Sequence, residues 1–199
     1  MKFHKFISVI LHPIVIPTIG VMLYFLLIQN SFGSNQKLAI LGLIFVTTYL
    51  IPLFVLILFK KLKLIKSFKA ESISERKIPI IVMIVLFYLL GNTLQGIPNL
   101  RDLGLLFYAT SLGLVFIYLF FAFKIKASIH LLSIGISIGF FMVLGIIYSQ
   151  SFLIVIVIAF ILSGLLGSAR LHLKAHKPKE VYLGFLFGFI SPFILYYIL

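Results

Sequence analysis

The chain has 199 residues, of which 62% are hydrophobic and 11% are charged, and its mean hydropathy is +1.25. A soluble domain cannot bury that much apolar surface, so the composition favours a polytopic membrane protein formed by one domain over 1–199. The absence of cysteine excludes disulfides and thiolate sites, and the net charge of +13, carried by short loops, indicates anionic lipids or phosphates as partners rather than nucleic acid.

Seven apolar segments are candidates for membrane-spanning helices, since a span needs about 20 mostly apolar residues. We therefore predict an all-α polytopic bundle of about seven transmembrane helices, with six as the alternative number. The first segment runs past twenty residues and is interpreted as a span rather than as a signal peptide. In chain order the predicted spans are 6–28, 38–59, 78–96, 104–123, 130–148, 152–168 and 180–199.

The charges of the intervening loops are distributed unevenly. Seven spans place the N-terminus and the loops 60–77, 124–129 and 169–179 on one face, and this set holds 15 of the 17 lysines and arginines. The other face has only Lys37 and Arg101. The positive-inside rule therefore predicts that the first set is cytoplasmic, and a compact chain of this kind suits a bacterial plasma membrane.

The segment before the last predicted span, "GSARLHLKAHKPKEVYLGFLFG" (167–188), concentrates titratable groups. Pro178 suits the first position of a helix, because its missing N–H costs nothing there. Glu180 would then lie in the first helical turn and can reach back to a residue just before the helix, such as His176. A carboxylate bonded to one imidazole nitrogen fixes the tautomer and leaves the other nitrogen free to attack. Arg170, six residues upstream, has a guanidinium that suits two phosphate oxygens.

The spacing of Arg170, His176 and Glu180 (Arg-x5-His-x3-Glu) resembles the third signature of the type 2 phosphatidic-acid phosphatase superfamily, which is related to the vanadium haloperoxidases. Two weaker signatures of that family have counterparts in the same order. The first, Lys-x6-Arg-Pro, is matched in "KAESISERK" by Lys69 and Arg76. The second, Pro-Ser-Gly-His, is matched in "ASIH" by Ser128 and His130.

The resemblance implies an integral-membrane hydrolase, with a phosphatase-like core at about 69–199, that acts on a lipid phosphomonoester or pyrophosphate without a metal or other cofactor. His176 would be the nucleophile that forms a phosphohistidine, Glu180 would orient it, and His130 would be the general acid. Independently of the family, phosphoryl transfer needs positive groups, a nucleophile and an acid. The implied phosphate ligands are Lys69, Arg76, Ser128, Arg170 and the backbone N–H of Ile129.

The sequence departs from the family pattern in several places. Lys77, Ala127, Ile129, Ala169 and Glu180 stand where the family usually has Pro, Pro, Gly, Ser and Asp. The family's enzymes usually face away from the cytoplasm, whereas the loop charges place this site in the cytoplasm. The alternative function is a non-catalytic membrane protein that uses the same cations to bind or transport a lipid head group or another anion.

Two further histidines are candidate site residues. His172 is a competing nucleophile, but it has no carboxylate at the matching spacing, so it is interpreted as a head-group contact or a solvated loop residue. His12, in "LHP", falls inside the first predicted span, where an ionisable residue is by default a candidate functional residue. Next to Pro13, a neutral histidine that bonds to a neighbouring helix is the favoured interpretation.

Overall fold

The computed structural model describes residues 2–67 and 72–199, and all regular structure in these ranges is helical. Six of the helices described, α3 to α8, are long and apolar enough to cross a membrane. The chain is thus a polytopic, integral-membrane helical bundle, as the composition predicts. The helices are α1 (Lys2–Ile10), α2 (Ile16–Leu27), α3 (Ser34–Lys61), α4 (Ile73–Gln95), α5 (Arg101–Phe120), α6 (Ile129–Tyr148), α7 (Leu153–His172) and α8 (Pro178–Ile198).

The prediction of one continuous first span over 6–28 is wrong. The segment is broken between Ile10 and Ile16 into the short helices α1 and α2, each too short to span alone. Pro13 explains the break, because a proline cannot donate the hydrogen bond that would continue α1 and its ring clashes with the preceding turn. Pro17, in contrast, lies in the first turn of α2, where no donor is needed.

The N-terminal segment nevertheless connects the two ends of the bundle. Ser8 contacts Arg170 at the end of α7, while the Leu27 carbonyl accepts a 3.5 Å hydrogen bond from Gln150, in the turn between α6 and α7. The N-terminal segment, α1 and α2 together, therefore runs from one end of the bundle to the other. With the six long helices, the chain passes between the two ends seven times. We call the end formed by the termini of α3, α5 and α7 and the starts of α4, α6 and α8 the basic end, and the other the opposite end.

Helices α5 and α6 form the centre of the bundle: at least half of the residues in each span are buried, against a third or fewer in the other spans. Helix α6 also makes the most extensive helix contact, with α8. Glycines at four-residue spacing on both helices allow it, since a Cβ on Gly135 or Gly139 would collide with the α8 backbone, and one on Gly184 or Gly188 with the α6 chain. Such small-residue pairs let membrane helices approach closely.

The close approach continues to the basic end. Gly184 packs on the backbone of Ser128, and the Ser128 N–H donates a 2.9 Å hydrogen bond to the Glu180 carbonyl. The N-termini of α6 and α8 are thereby fixed side by side. This contact places the "ASIH" segment beside the "HKPKE" segment, although about 50 residues separate them in sequence.

Candidate functional site

The basic end contains a cavity of about 1220 Å³ that extends from the loops into the membrane region of the bundle. Its upper wall, nearest the loops of the basic end, is polar and comes from α1, α4, α6, α7 and the loop before α8. Its lower wall is mainly apolar and is formed by residues of α2 to α6, such as Pro52, Met83, Phe87, Leu114 and Ile136. The site residues that line its upper part are Arg76, Ile129, His130, Arg170 and His176.

His176 is held rigidly at this cavity. Its side chain is only 2% exposed, and Nδ1 lies 2.9 Å from the Lys126 carbonyl oxygen and 3.3 Å from Glu180 Oε2. Both partners are acceptors, so Nδ1 carries the proton and donates to them. The lone pair is consequently on Nε2, for which the described residues provide no hydrogen-bond partner. The geometry is that of an oriented nucleophile or base.

Burial lowers the pKa of His176 to about 4, and the positive charges of Arg170 and Arg76 act in the same direction. The imidazole is therefore neutral at pH 7, although the nearby Glu180 favours its charged form. The 3.3 Å contact between His176 and Glu180 is accordingly a hydrogen bond of a neutral ring rather than an ion pair. A neutral imidazole is the form that can attack phosphorus.

Glu180 holds several groups of the site together. Its helix begins with Pro178, as predicted, and Glu180 is the third residue. Oε2 accepts a 3.0 Å hydrogen bond from the Lys177 N–H in addition to the His176 contact, and Oε1 accepts from the Lys126 N–H at 3.3 Å. The predicted contact between Glu180 and His176 is therefore present. The carboxylate lies behind the ring and outside the large cavity.

Two of the three predicted cationic ligands, Arg76 and Arg170, line the cavity together with His176. Arg170 Nη1 donates a 2.7 Å hydrogen bond to Ser8 Oγ, and its buried Nε has no partner among the described residues. The third ligand, Lys69, lies outside the described residues. Arg76 is in the first turns of α4, which starts with a capping box between Ser72 and Glu75.

The "ASIH" segment places its three candidate residues differently. His130 lines the cavity, and its buried Nε2 has no hydrogen-bond partner in the described part of the chain. Ile129 also lines the cavity and is the first residue of α6, where backbone N–H groups have no intrahelical acceptor. Ser128 is fully buried behind the wall, with an unpartnered Oγ. Buried polar atoms without protein partners are rare, so these groups are candidates for hydrogen bonds to a ligand.

The charge of the cavity wall is strongly positive. Five cationic side chains line it, and none of its described lining residues is acidic. An anion in this cavity would be stabilised by this excess of positive charge. The cations are Lys5, Arg76, Lys126, Arg170 and Lys174.

A smaller cavity of about 510 Å³ lies on the loop side of His176. It is lined by Lys126, Lys174, Lys177 and Glu180 among others, and it shares His176 with the large cavity. The imidazole thus lies between a space that extends into the bilayer region and a space among the charged loops.

Some of the lining residues were not predicted from motifs. Lys5, Ser8 and His12 reach the cavity from the N-terminal segment, and only the unusual His12–Pro13 pair gave a signal in the sequence. His172 also lines the cavity, but its ring stacks on that of His4, with centroids 4.0 Å apart. The Lys126 carbonyl, which is the nearest acceptor for His176, is a backbone group that no residue pattern reveals.

Within 2–67 and 72–199, no group of three or more His, Cys, Asp or Glu side chains is arranged to hold a metal ion. The groups that converge are instead four imidazoles, two guanidinium groups and lysines. Searches with the whole chain found no matching protein-family model, no matching curated protein and no matching solved structure. The functional assignment consequently rests on the geometry of the site and on the spacing of its residues.

Proposed function

We propose that the protein is a membrane-embedded phosphatase that hydrolyses the phosphomonoester or pyrophosphate of a lipid through a phosphohistidine intermediate. The observation that carries the proposal is the state of His176. Its ring is neutral, fixed through Nδ1 by Lys126 and Glu180, and exposes the Nε2 lone pair to a cavity that also contains Arg76, Arg170 and His130. The resemblance to the type 2 phosphatidic-acid phosphatase signatures names the same residues.

In the first half of the reaction, the Nε2 lone pair of His176 attacks phosphorus and a phosphorus–nitrogen bond forms. The bond from phosphorus to the leaving oxygen breaks, and His130, which takes up a proton when the anionic head group binds beside it, gives that proton to the leaving oxygen. Arg76 and Arg170 stabilise the negative charge on the remaining phosphate oxygens. Lys69 is proposed as a further ligand by its place in the first signature.

In the second half, water attacks the phosphohistidine, the phosphorus–nitrogen bond breaks and inorganic phosphate leaves. His130, which is now neutral, takes the proton from the attacking water. His176 returns to its starting form with the proton still on Nδ1.

The lipid part of the substrate is proposed to occupy the lower, apolar part of the large cavity. Its wall includes Pro52, Met83, Phe87, Leu114 and Ile136, while the cations are confined to the upper part. An amphiphile with an anionic head and a hydrocarbon tail matches this division. Phosphatidic acid, phosphatidylglycerophosphate and polyprenyl mono- or diphosphates all have this chemistry.

The test is phosphate release by the purified protein in detergent, with each of these lipids and with EDTA present. We expect release that EDTA does not inhibit, and a loss of at least about 1000-fold in His176→Ala. His172→Ala is the matched control and should retain activity, because His172 stacks on His4 and has no orienting carboxylate. No release of phosphate from any lipid by folded protein would leave the alternative, a protein that binds or transports lipid phosphates without hydrolysis.

The site is proposed to face the cytoplasm of a bacterial cell, because 15 of the 17 lysines and arginines belong to the N-terminus and to the sequence segments 60–77, 124–129 and 169–179. This orientation requires Leu199, at the opposite end, to lie outside the cytoplasm. A reporter fused after Leu199 that is active only in the cytoplasm should remain inactive. An active reporter would reverse the orientation without changing the chemistry.

A further inference from the structure

The N-terminal segment, which contains none of the signature residues, forms part of the wall of the candidate site. Lys5, Ser8 and His12 line the large cavity together with His130 and Arg170. Helix α1 packs along the end of α7, and the break between α1 and α2 places His12 at the level of the site. A continuous helix would have directed these side chains differently, so the break matters for the composition of the wall.

Ser8 acts on a guanidinium that the proposed reaction uses. Its Oγ accepts a 2.7 Å hydrogen bond from Arg170 Nη1 and is itself buried. This bond restricts the rotation of the guanidinium. The Nε of Arg170 remains buried without a partner in the described part of the chain, so one donor is held ready for a ligand.

His12 lies against the imidazole ring of His130. The ring centroids of His12 and His130 are 5.0 Å apart and the rings are nearly perpendicular. Nδ1 of His12 accepts a 3.4 Å hydrogen bond from the Ile14 N–H. Because a neutral imidazole that accepts at Nδ1 carries its proton on Nε2, His12 has a donor that is not used within its own turn.

We propose that His12 is a further ligand of the phosphate head group, to which it donates from Nε2, and that Ser8 positions Arg170 for the same head group. This inference rests on the proposed function, since it takes the cavity to be the phosphate site. His12 makes a neutral hydrogen bond to the anion and transfers no proton. The N-terminal segment thereby contributes two side chains, Ser8 and His12, to the phosphate site.

The test separates binding from turnover by using His176→Ala as the parent protein, which cannot form the phosphohistidine. Binding of dioleoyl phosphatidic acid in detergent micelles is measured by isothermal titration calorimetry. His12→Gln keeps an N–H donor near the position of Nε2, whereas His12→Phe keeps a ring of similar shape without a donor. We expect about 10-fold weaker binding with His12→Phe, and binding within about 3-fold of the parent with His12→Gln.

His4→Ala in the same parent is the matched control, because His4 belongs to the same segment and stacks on His172 without lining the cavity. It should bind like the parent. Equal binding by His12→Phe and the parent would overturn the donor role of His12, and loss of binding in both His12 variants would show that the ring only packs.

The outcomes also separate this inference from the proposed reaction. Binding by the parent that depends on a donor at position 12, together with no phosphate release by the unmodified protein, would refute the phosphatase and retain His12 as a ligand. Phosphate release combined with equal binding by His12→Phe and the parent would support the phosphatase and refute His12 as a ligand. A parent that does not bind the lipid would overturn the role of His12, while phosphate release by the unmodified protein would still decide the reaction.

Discussion

The two ends of the bundle differ in whether their polar side chains have hydrogen-bond partners within the protein. At the opposite end, the hydroxyl groups of Tyr24 and Tyr148 both donate to the Asp102 carboxylate, and Gln150 donates to the Leu27 carbonyl. These bonds join α2, α5 and the α6–α7 turn to one another. At the basic end, by comparison, several buried donors and acceptors lack protein partners, and two of the residues concerned, His130 and Arg170, line the cavity.

The difference is clearest for buried side-chain polar atoms that have no hydrogen-bond partner. Of the four such atoms in residues 2–67 and 72–199, three are at the basic end: Ser128 Oγ, His130 Nε2 and Arg170 Nε. The fourth is Oδ1 of Asn30, whose amide nitrogen bonds to the Ile28 carbonyl. An end that satisfies its own polar groups stabilises the fold, whereas unpartnered groups are available for hydrogen bonds to the proposed ligand.

Among changes that compare the two ends, the largest difference in activity should come from two arginines. Arg170→Ala removes a guanidinium from the cavity, and we expect kcat/KM for phosphate release to fall about 100- to 1000-fold. Arg101→Ala, at the exposed start of α5, should leave activity within about 2-fold. Steady-state kinetics with the best lipid substrate would measure both, and similar thermal unfolding of the two variants would exclude misfolding. Equal activity of the two variants would remove Arg170 from the site.

The second comparison concerns two carboxylates. Glu180→Gln keeps an acceptor but removes the charge behind His176, so phosphate release should slow about 10- to 100-fold with little change in stability. Asp102→Asn should show the reverse pattern. It should weaken the hydrogen bonds from Tyr24 and Tyr148 and cost about 1–3 kcal/mol of stability, with activity unchanged.

Kinetics and tyrosine-monitored thermal unfolding in detergent would be recorded for both carboxylate variants. The contrast between the ends would be lost if Asp102→Asn slowed the reaction as strongly as Glu180→Gln.

The smallest effect is expected from two glycines, and it tests how the basic end is assembled. A Cβ on Gly188 would collide with the Leu132 backbone, so Gly188→Ala should destabilise the protein by about 1–3 kcal/mol. Gly164, on α7, has no neighbouring atom within 4 Å of a new Cβ, and Gly164→Ala should be neutral or slightly stabilising. Thermal unfolding of both variants would measure the difference, and equal midpoints would argue against close α6–α8 packing.

Much of the fold follows from the sequence, because each span is a long apolar run and needs no partner to be identified. The spans α3 to α8 lie close to their predicted positions, and the alternation of loops between two ends agrees with the distribution of charge. The local chemistry of "HKPKE" was also predictable, since Pro178 and Glu180 have fixed preferences in the first helical turn. The break between α1 and α2 was not predicted, because a proline in an apolar run can either kink or interrupt a helix.

The sequence by itself determined that the protein is a helical membrane bundle with a basic end, and that His176 and Glu180, four residues apart, would meet. Only the tertiary structure decided which distant groups join them. The glycine contact of α6 with α8 brings the Lys126 carbonyl and His130 to His176, and the break at Pro13 brings Ser8 and His12 to the same cavity. Hydropathy and local spacing report on contacts within one turn of a helix, whereas these contacts depend on how closely backbones from different helices can approach.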